Sequence, residues 1–167
     1  QAGEHGPTTL AAFVAGGLLG VGLFALLRPV MGLGTLVGAP VDVPVALDPA
    51  VLLGSRLYPD MFPMARQVLI ACDFAKGVCA RLAGVEVPSF PDGERPGFAE
   101  LNERIDAVLA FIEGLPAENF AEAATRQITL QPGTPREKQF VGQAYLLHYG
   151  LPQFFFHVTT AYALARH

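Results

Sequence analysis

The chain has 167 residues, of which 51% are hydrophobic and only 16% charged, and it carries a net charge of −4. That is enough for one domain with a buried core, and it excludes the basic footprint of a nucleic-acid-binding surface. Cys72 and Cys79 fall seven apart in a helical segment; the roughly 10 Å between them rules out a disulfide, and no CxxC metal pair exists, so both read as reduced core residues.

Gln1 to Pro7 is polar, and Thr8 to Leu27 then runs without a charge as far as Arg28. About 20 apolar residues suffice to span a bilayer, and Gly16 with Gly20 supplies a GxxxG. The same apolar girth suits a helix buried in a bundle, which is the favoured reading because the charged faces further along imply a soluble body. A membrane segment is the alternative, and Glu4 in place of a basic flank argues against a signal peptide. Pro29 to Leu47 contains Pro40, Pro44, Gly32, Gly34 and Gly38, which forbid a long helix. Val41, Val43 and Val45 alternate there and predict a short extended piece.

Asp48-Pro49 reads as the N-cap and first position of a short helix, Ala50 to Leu53, ended by Gly54. After Tyr58-Pro59-Asp60 a long helix is expected from about Asp60 to Ala83, closed by Gly84. Phe62, Ala65, Leu69, Cys72, Val78, Cys79 and Leu82 form its apolar side. Arg66, Asp73, Lys76 and Arg81 form its polar side, in which Asp73 with Arg66 and Lys76 reads as a solvated face with weak ion pairs. Val85 to Gly97 carries Pro88, Pro91 and Pro96 and is a loop. Phe98 to Leu115 is an amphipathic helix with Leu101, Ile105, Val108 and Ile112 inward and Glu100, Glu103, Arg104 and Asp106 outward; Leu115-Pro116 ends it.

Arg126 to Leu130 and Lys138 to Val141 alternate around Gln131-Pro132-Gly133-Thr134-Pro135 and predict a β-hairpin that needs a bundle to lean on. Gln143 to His167 closes the chain with a run of aromatics and three of the four histidines. Gly150 and Pro152 are expected to stop whatever precedes and to open a last helix. In it Phe154, Val158, Ala161 and Ala165 fall at helical spacing, with Leu151 and Leu164 beside them. The sequence has no P-loop, dinucleotide glycine fingerprint or HExxH.

Three stretches carry a resemblance: DPAVLLGSRLYPDMFPMARQVLIACDFAKGVCARLAGVEVPSF (Asp48 to Phe90), FAELNERIDAVLAFI (Phe98 to Ile112) and GQAYLLHYGLPQFFFHVTTAYALARH (Gly142 to His167). They are similar to a bacterial domain-of-unknown-function family, number nineteen-ninety-three, which is grouped with the DinB/YfiT-like four-helix bundles. The resemblance covers about residues 48–167 and implies an all-α, up-and-down four-helix bundle with a short β-hairpin before the last helix. The whole of 1–167 is then one helical-bundle domain. Residues 1–47 depart from the pattern, since members usually begin with a charged amphipathic helix. Members also usually continue past the equivalent of His167.

DinB-like relatives often bind a divalent metal through one histidine of the second helix and an HxxxH pair on the last. Here the corresponding row is Gln153, His157 and Ala161, and the second helix has no histidine. His5 and His167 are terminal, so no metal or other cofactor is expected. His157 is expected to be a structural, hydrogen-bonded histidine whose partner is Asp60, Gln67 or Tyr145. A phenylalanine in its place should be tolerated if the histidine only fills space. The candidate ligand pocket, if the bundle holds one in its core, is His157 with His148, Tyr145, Gln67, Asp60 and Tyr162, and with Tyr149 beside them.

The expected function is a non-catalytic DinB-like bundle that binds a small apolar ligand or self-associates as a homodimer. It is expected in the cytoplasm, without a nucleic-acid partner. The alternatives are a metal- or thiol-dependent transferase, as some DinB-like relatives are, and a membrane-associated accessory subunit anchored by residues 8–27.

Overall fold

The structure is a computed structural model that describes residues 48–166 apart from 92, 94 and 95. The expectations for Thr8 to Leu27, for Pro29 to Leu47 and for His5 and His167 lie outside the described residues. The architecture is the all-α bundle class expected, with a two-stranded hairpin before the last helix. Helix α1 spans Pro49–Gly54, α2 Met64–Ala83 and α3 Phe98–Glu113. A 3-10 turn, Ala117–Phe120, leads to β1 Gln127–Leu130 and β2 Lys138–Val141. Helix α4, Gly142–Tyr145, a π turn, Leu146–Gly150, and α5, Leu151–Arg166, then follow without a break. Helix α2 is central and packs on both α3 and α5. Met64, Val68, Leu82, Leu101, Ile105 and Phe154 form the heart of the core, each no more than 1% exposed.

Helix α1 starts as read, with Asp48 Oδ1 accepting the Ala50 N–H at 2.9 Å. Helix α2 starts later than expected. Phe62 precedes Pro63, and a residue before proline is pushed out of the α region. Pro63 is the N-cap, with ψ 161°, and the Met64 N–H is held by the Ser55 carbonyl at 2.9 Å. Phe62 therefore stands outside the helix, exposed, and not on its apolar side. The other end is as read: Gly84 takes φ 70°, and the Gly84 and Val85 N–H groups return to the carbonyls of Arg81 and Ala80.

Two polar assignments are corrected. Arg104 does not point outward: it is buried, and its Nη2 donates to the Pro91 carbonyl at 2.7 Å. Lys76 is not on a solvated face either; it is buried and reaches Asp73 at 2.9 Å. Both cations lie over the ring of Phe90, with Lys76 Nζ at 4.9 Å and the Arg104 guanidinium at 5.6 Å from its centroid. They fasten the loop between α2 and α3 by a contact between cation and ring, which amphipathic spacing does not reveal.

Gly150 and Pro152 do not stop the preceding helix. Pro152 has no N–H to return to the turn before it. The chain absorbs the missing bond in the π turn, where the Leu151 N–H reaches back to the Leu146 carbonyl. Gly150 lets that turn lie close on α2, since a Cβ there would come within 2.7 Å of Val78 Cγ2.

The hairpin register pairs Ile128 with Phe140 and Leu130 with Lys138. Ile128 and Leu130 are buried against the bundle, so Lys138 and Phe140 share that side. Arg126, just before β1, donates to the carbonyls of Leu82 and Asn119. Its charge thus sits at the carbonyl end of α2, where the helix dipole is negative. The Gly142 N–H donates to the Arg126 carbonyl at 2.8 Å and closes the hairpin onto α4.

Candidate functional site

Helix α2, the helical turn around Tyr145 to Tyr149 and the hairpin meet around a cleft of about 490 Å³. Helix α2 contributes Asp73, Phe74 and Arg81, the helical turn contributes Tyr145 and Tyr149, and the hairpin contributes Leu130, Gln131, Arg136 and Lys138. The aromatic side is continuous. Tyr145 stacks on Tyr149 at 5.8 Å between centroids, and Phe74 meets Tyr149 edge-on at 5.9 Å. Phe140 backs both tyrosines at 5.8 and 5.4 Å. Such ring pairs resist reorientation and give a rigid apolar wall.

The cationic side is built from separate elements. Lys138 Nζ lies 5.2 Å from the centre of the Tyr149 ring. Arg81 Nη1 donates to the Tyr145 hydroxyl at 3.3 Å. Burial pushes the Tyr145 phenol above its ordinary pKa, against the opposing pull of the Arg81 charge, so Tyr145 meets Arg81 as a neutral phenol. Gly77, one turn before Arg81, makes room for that guanidinium: a Cβ there would stand 2.6 Å from Arg81 Nη1. The one carboxylate of the lining, Asp73, is paired with Lys76. No serine, cysteine or histidine is among the described lining residues.

Of the residues expected to surround His157, Gln67 is the one hydrogen-bonded to it among the described residues. His157 Nδ1 and Gln67 Oε1 are 2.6 Å apart and buried. The Gln67 amide is oriented by Nε2, which donates to the Phe62 carbonyl at 3.3 Å. Oε1 must therefore accept, so Nδ1 carries the proton and Nε2 keeps the lone pair. The imidazole stacks on Phe74 at 5.8 Å and meets Phe156 edge-on at 5.1 Å. Burial among these groups lowers its pKa below the ordinary value. Phe74 is the shared wall, with His157 against it and the cleft lined by it.

Tyr145 belongs to the cleft, bonded to Arg81 and not to His157. Asp60 is exposed in the turn before α2, His148 is exposed on the π turn, and Tyr162 is 47% exposed on α5. None of the three joins His157. Among the described residues, no group of three His, Cys, Asp or Glu side chains lies close enough to hold a metal ion. Cys72 and Cys79 are free and buried, and burial pushes the Cys79 thiol up to about 12. A second hollow, of about 710 Å³, lies between α1 and the first turns of α2 and α3, lined by Leu53, Leu69 and Phe98. It is the larger of the two, but of its polar side chains Asp48 already caps α1.

The cations of the cleft were not marked as a site by the sequence. One signal was there: Arg136, Glu137 and Lys138 are the only Asp, Glu, Lys or Arg residues between Arg126 and Arg166. Nothing in the spacing shows that β-pairing brings them to Arg81, which is 55 positions before Arg136.

A central α2 flanked by α3 and α5, with a hairpin before the last helix, is a helical bundle of the DinB-like kind, as its structural match shows. A solved structure described as a DinB family member from Shewanella denitrificans superposes with a TM-score of 0.76 at 36% identity, covering 96% of this chain and 86% of that one. The chain belongs to the family described as a domain of unknown function, DUF1993, whose model matches residues 43–167. No curated protein matches the chain significantly. Among the described residues, no helix is long and apolar enough to cross a membrane.

Proposed function

We propose that this DinB-like protein is a small-molecule-binding bundle without catalytic chemistry of its own, and that its ligand occupies the cleft between α2, the π turn and the hairpin. One observation carries the reading: rings and cations from three separate elements converge on a single cleft of about 490 Å³. That volume lies in the range of small-molecule sites, which pair an apolar wall with a few directed polar groups. The cleft differs from the core pocket for a small apolar ligand expected around His157, because three cations line it. His157 supports it from behind, through Phe74.

The lining supports binding without turnover. The Asp73 carboxylate is held by Lys76, Tyr145 stays protonated, and no nucleophile stands beside a base there. Native mass spectrometry of the intact protein, soaked with a mixed small-molecule library, tests the reading. One-to-one adducts that vanish in a Tyr149→Ala variant, with the ligand mass unchanged after incubation, are the expected result. Adducts that survive the substitution, or a ligand converted to a new mass, would overturn it.

A further inference from the structure

We propose that the ligand of this cleft is a small aromatic acid, a planar ring bearing one carboxylate. Its charge is held by Lys138, Arg136 and Arg81, and its ring lies against Tyr149 and Phe74. The inference rests on the reading of the cleft as a binding site and adds the class of ligand.

Charge points to the acid. The chain is acidic, at −4, yet three cations line this one cleft with a single carboxylate, Asp73, which is already paired with Lys76. Glu137 lies between Arg136 and Lys138 in sequence but is turned onto the hairpin's own loop. It accepts the Gly133 N–H at 2.8 Å and Gln139 Nε2 at 2.9 Å. Buried and structural cations elsewhere have other work: Arg126 holds the end of α2, while Arg104 and Lys76 hold Phe90. In the cleft, Arg81 meets a neutral phenol and Lys138 a neutral ring. Among the described residues, none of the three cleft cations is paired with a carboxylate. An incoming carboxylate therefore adds attraction without displacing an ion pair, and a guanidinium fork suits its flat, two-oxygen geometry.

The rings point to the aromatic part. Tyr149 is half-buried between Phe74, Phe140 and Tyr145 and faces the cleft beneath Lys138. A planar ligand placed there keeps the cation on its acid group and its ring on the aromatic wall. Gly77 acts as a positioning residue. It leaves the space through which Arg81 lies back along α2 towards Tyr145.

The test is fluorescence anisotropy with 2-naphthoate, against its neutral isostere 2-naphthamide and the cation 2-naphthylmethylammonium. The chain has no tryptophan, so naphthalene emission is read without that background. We expect the acid to bind at least about tenfold more tightly than the amide, and the ammonium not to bind. Raising salt from about 0.05 to about 0.5 M should weaken the acid alone. Arg136 and Lys138 are exposed, so the double variant Arg136→Ala, Lys138→Ala should fold normally. It should lose about tenfold for the acid and nothing for the amide. Gly77→Ala should cause the same selective loss with an unreduced melting temperature. An amide that binds as tightly as the acid, or an acid indifferent to these variants, overturns the acid class and leaves a neutral aromatic site standing. No binding by any of the three probes to folded protein overturns the site reading along with it.

Discussion

Breaking the Gln67–His157 pair should cost stability in a way that depends on which partner is left behind. Gln67 is 1% exposed and His157 is 8% exposed, and their polar atoms meet at 2.6 Å. Gln67→Leu leaves the Nδ1–H without an acceptor in a site closed to water, at a cost of about 2 kcal/mol. His157→Phe fills the same space but strands Oε1 of Gln67, again for about 2 kcal/mol. The tolerance of phenylalanine expected from sequence holds only if the histidine merely fills space, a condition that the bond to Gln67 does not meet. Making both changes removes both polar groups, and the cost should fall to about 1 kcal/mol or less, because an apolar pair of similar shape has nothing to satisfy. At this chain length 1 kcal/mol moves the melting temperature by about 2–4 °C. Circular dichroism during thermal and urea unfolding of the four proteins reads the cycle. If the two losses simply add, the two side chains are not coupled and the pair does not contribute as a hydrogen bond.

Other outcomes follow from the same structure. The folded-state pKa of His157 is lowered, so below about 6.5 the unfolded chain takes up the proton first. The His157 contribution should therefore be intact above that pH and decline as pH falls towards the folded value; a urea midpoint series should show a decline that His157→Phe lacks. Gly142→Ala should cost about 3 kcal/mol or prevent folding, since a Cβ there would stand 1.8 Å from the Ala123 carbonyl oxygen; an unchanged melting temperature would refute that packing. Cys72 and Cys79 should resist a thiol reagent in the native protein and react fully in denaturant, and prompt native labelling would show that the core opens. Homodimerisation is proposed from the exposed Phe155 and Tyr162, which share a face of α5 at heptad spacing. Sedimentation at micromolar concentration should give twice the chain mass, and a single monomer species would rule it out.

Much of the fold was legible because its signals are local. Asp48-Pro49 caps a helix, Gly84 ends one, and the alternation on either side of Pro132-Gly133 pairs as a hairpin. Errors arose where a local rule met a tertiary contact. Pro152 read as a stop, but a π turn reroutes its missing bond. Arg104 and Lys76 read as surface charges, but Phe90 folds back beneath them. The candidate site was half legible. The Gln67–His157 pair was among the stated options, since both are polar groups on apolar stripes. The cleft was not, because Arg81, Tyr149 and Lys138 lie in three elements, brought to one place by the hairpin register and the packing of the π turn on α2.

Chemical-shift mapping with 2-naphthoate on isotope-labelled protein tests the central claim most directly, because it locates the ligand without assuming where it binds. Saturable shifts should concentrate at Phe74, Arg81, Lys138, Tyr145 and Tyr149, with the His157 ring following through Phe74. Shifts confined to Leu53, Leu69 and Phe98 around the second hollow, with the cleft unmoved, would contradict it.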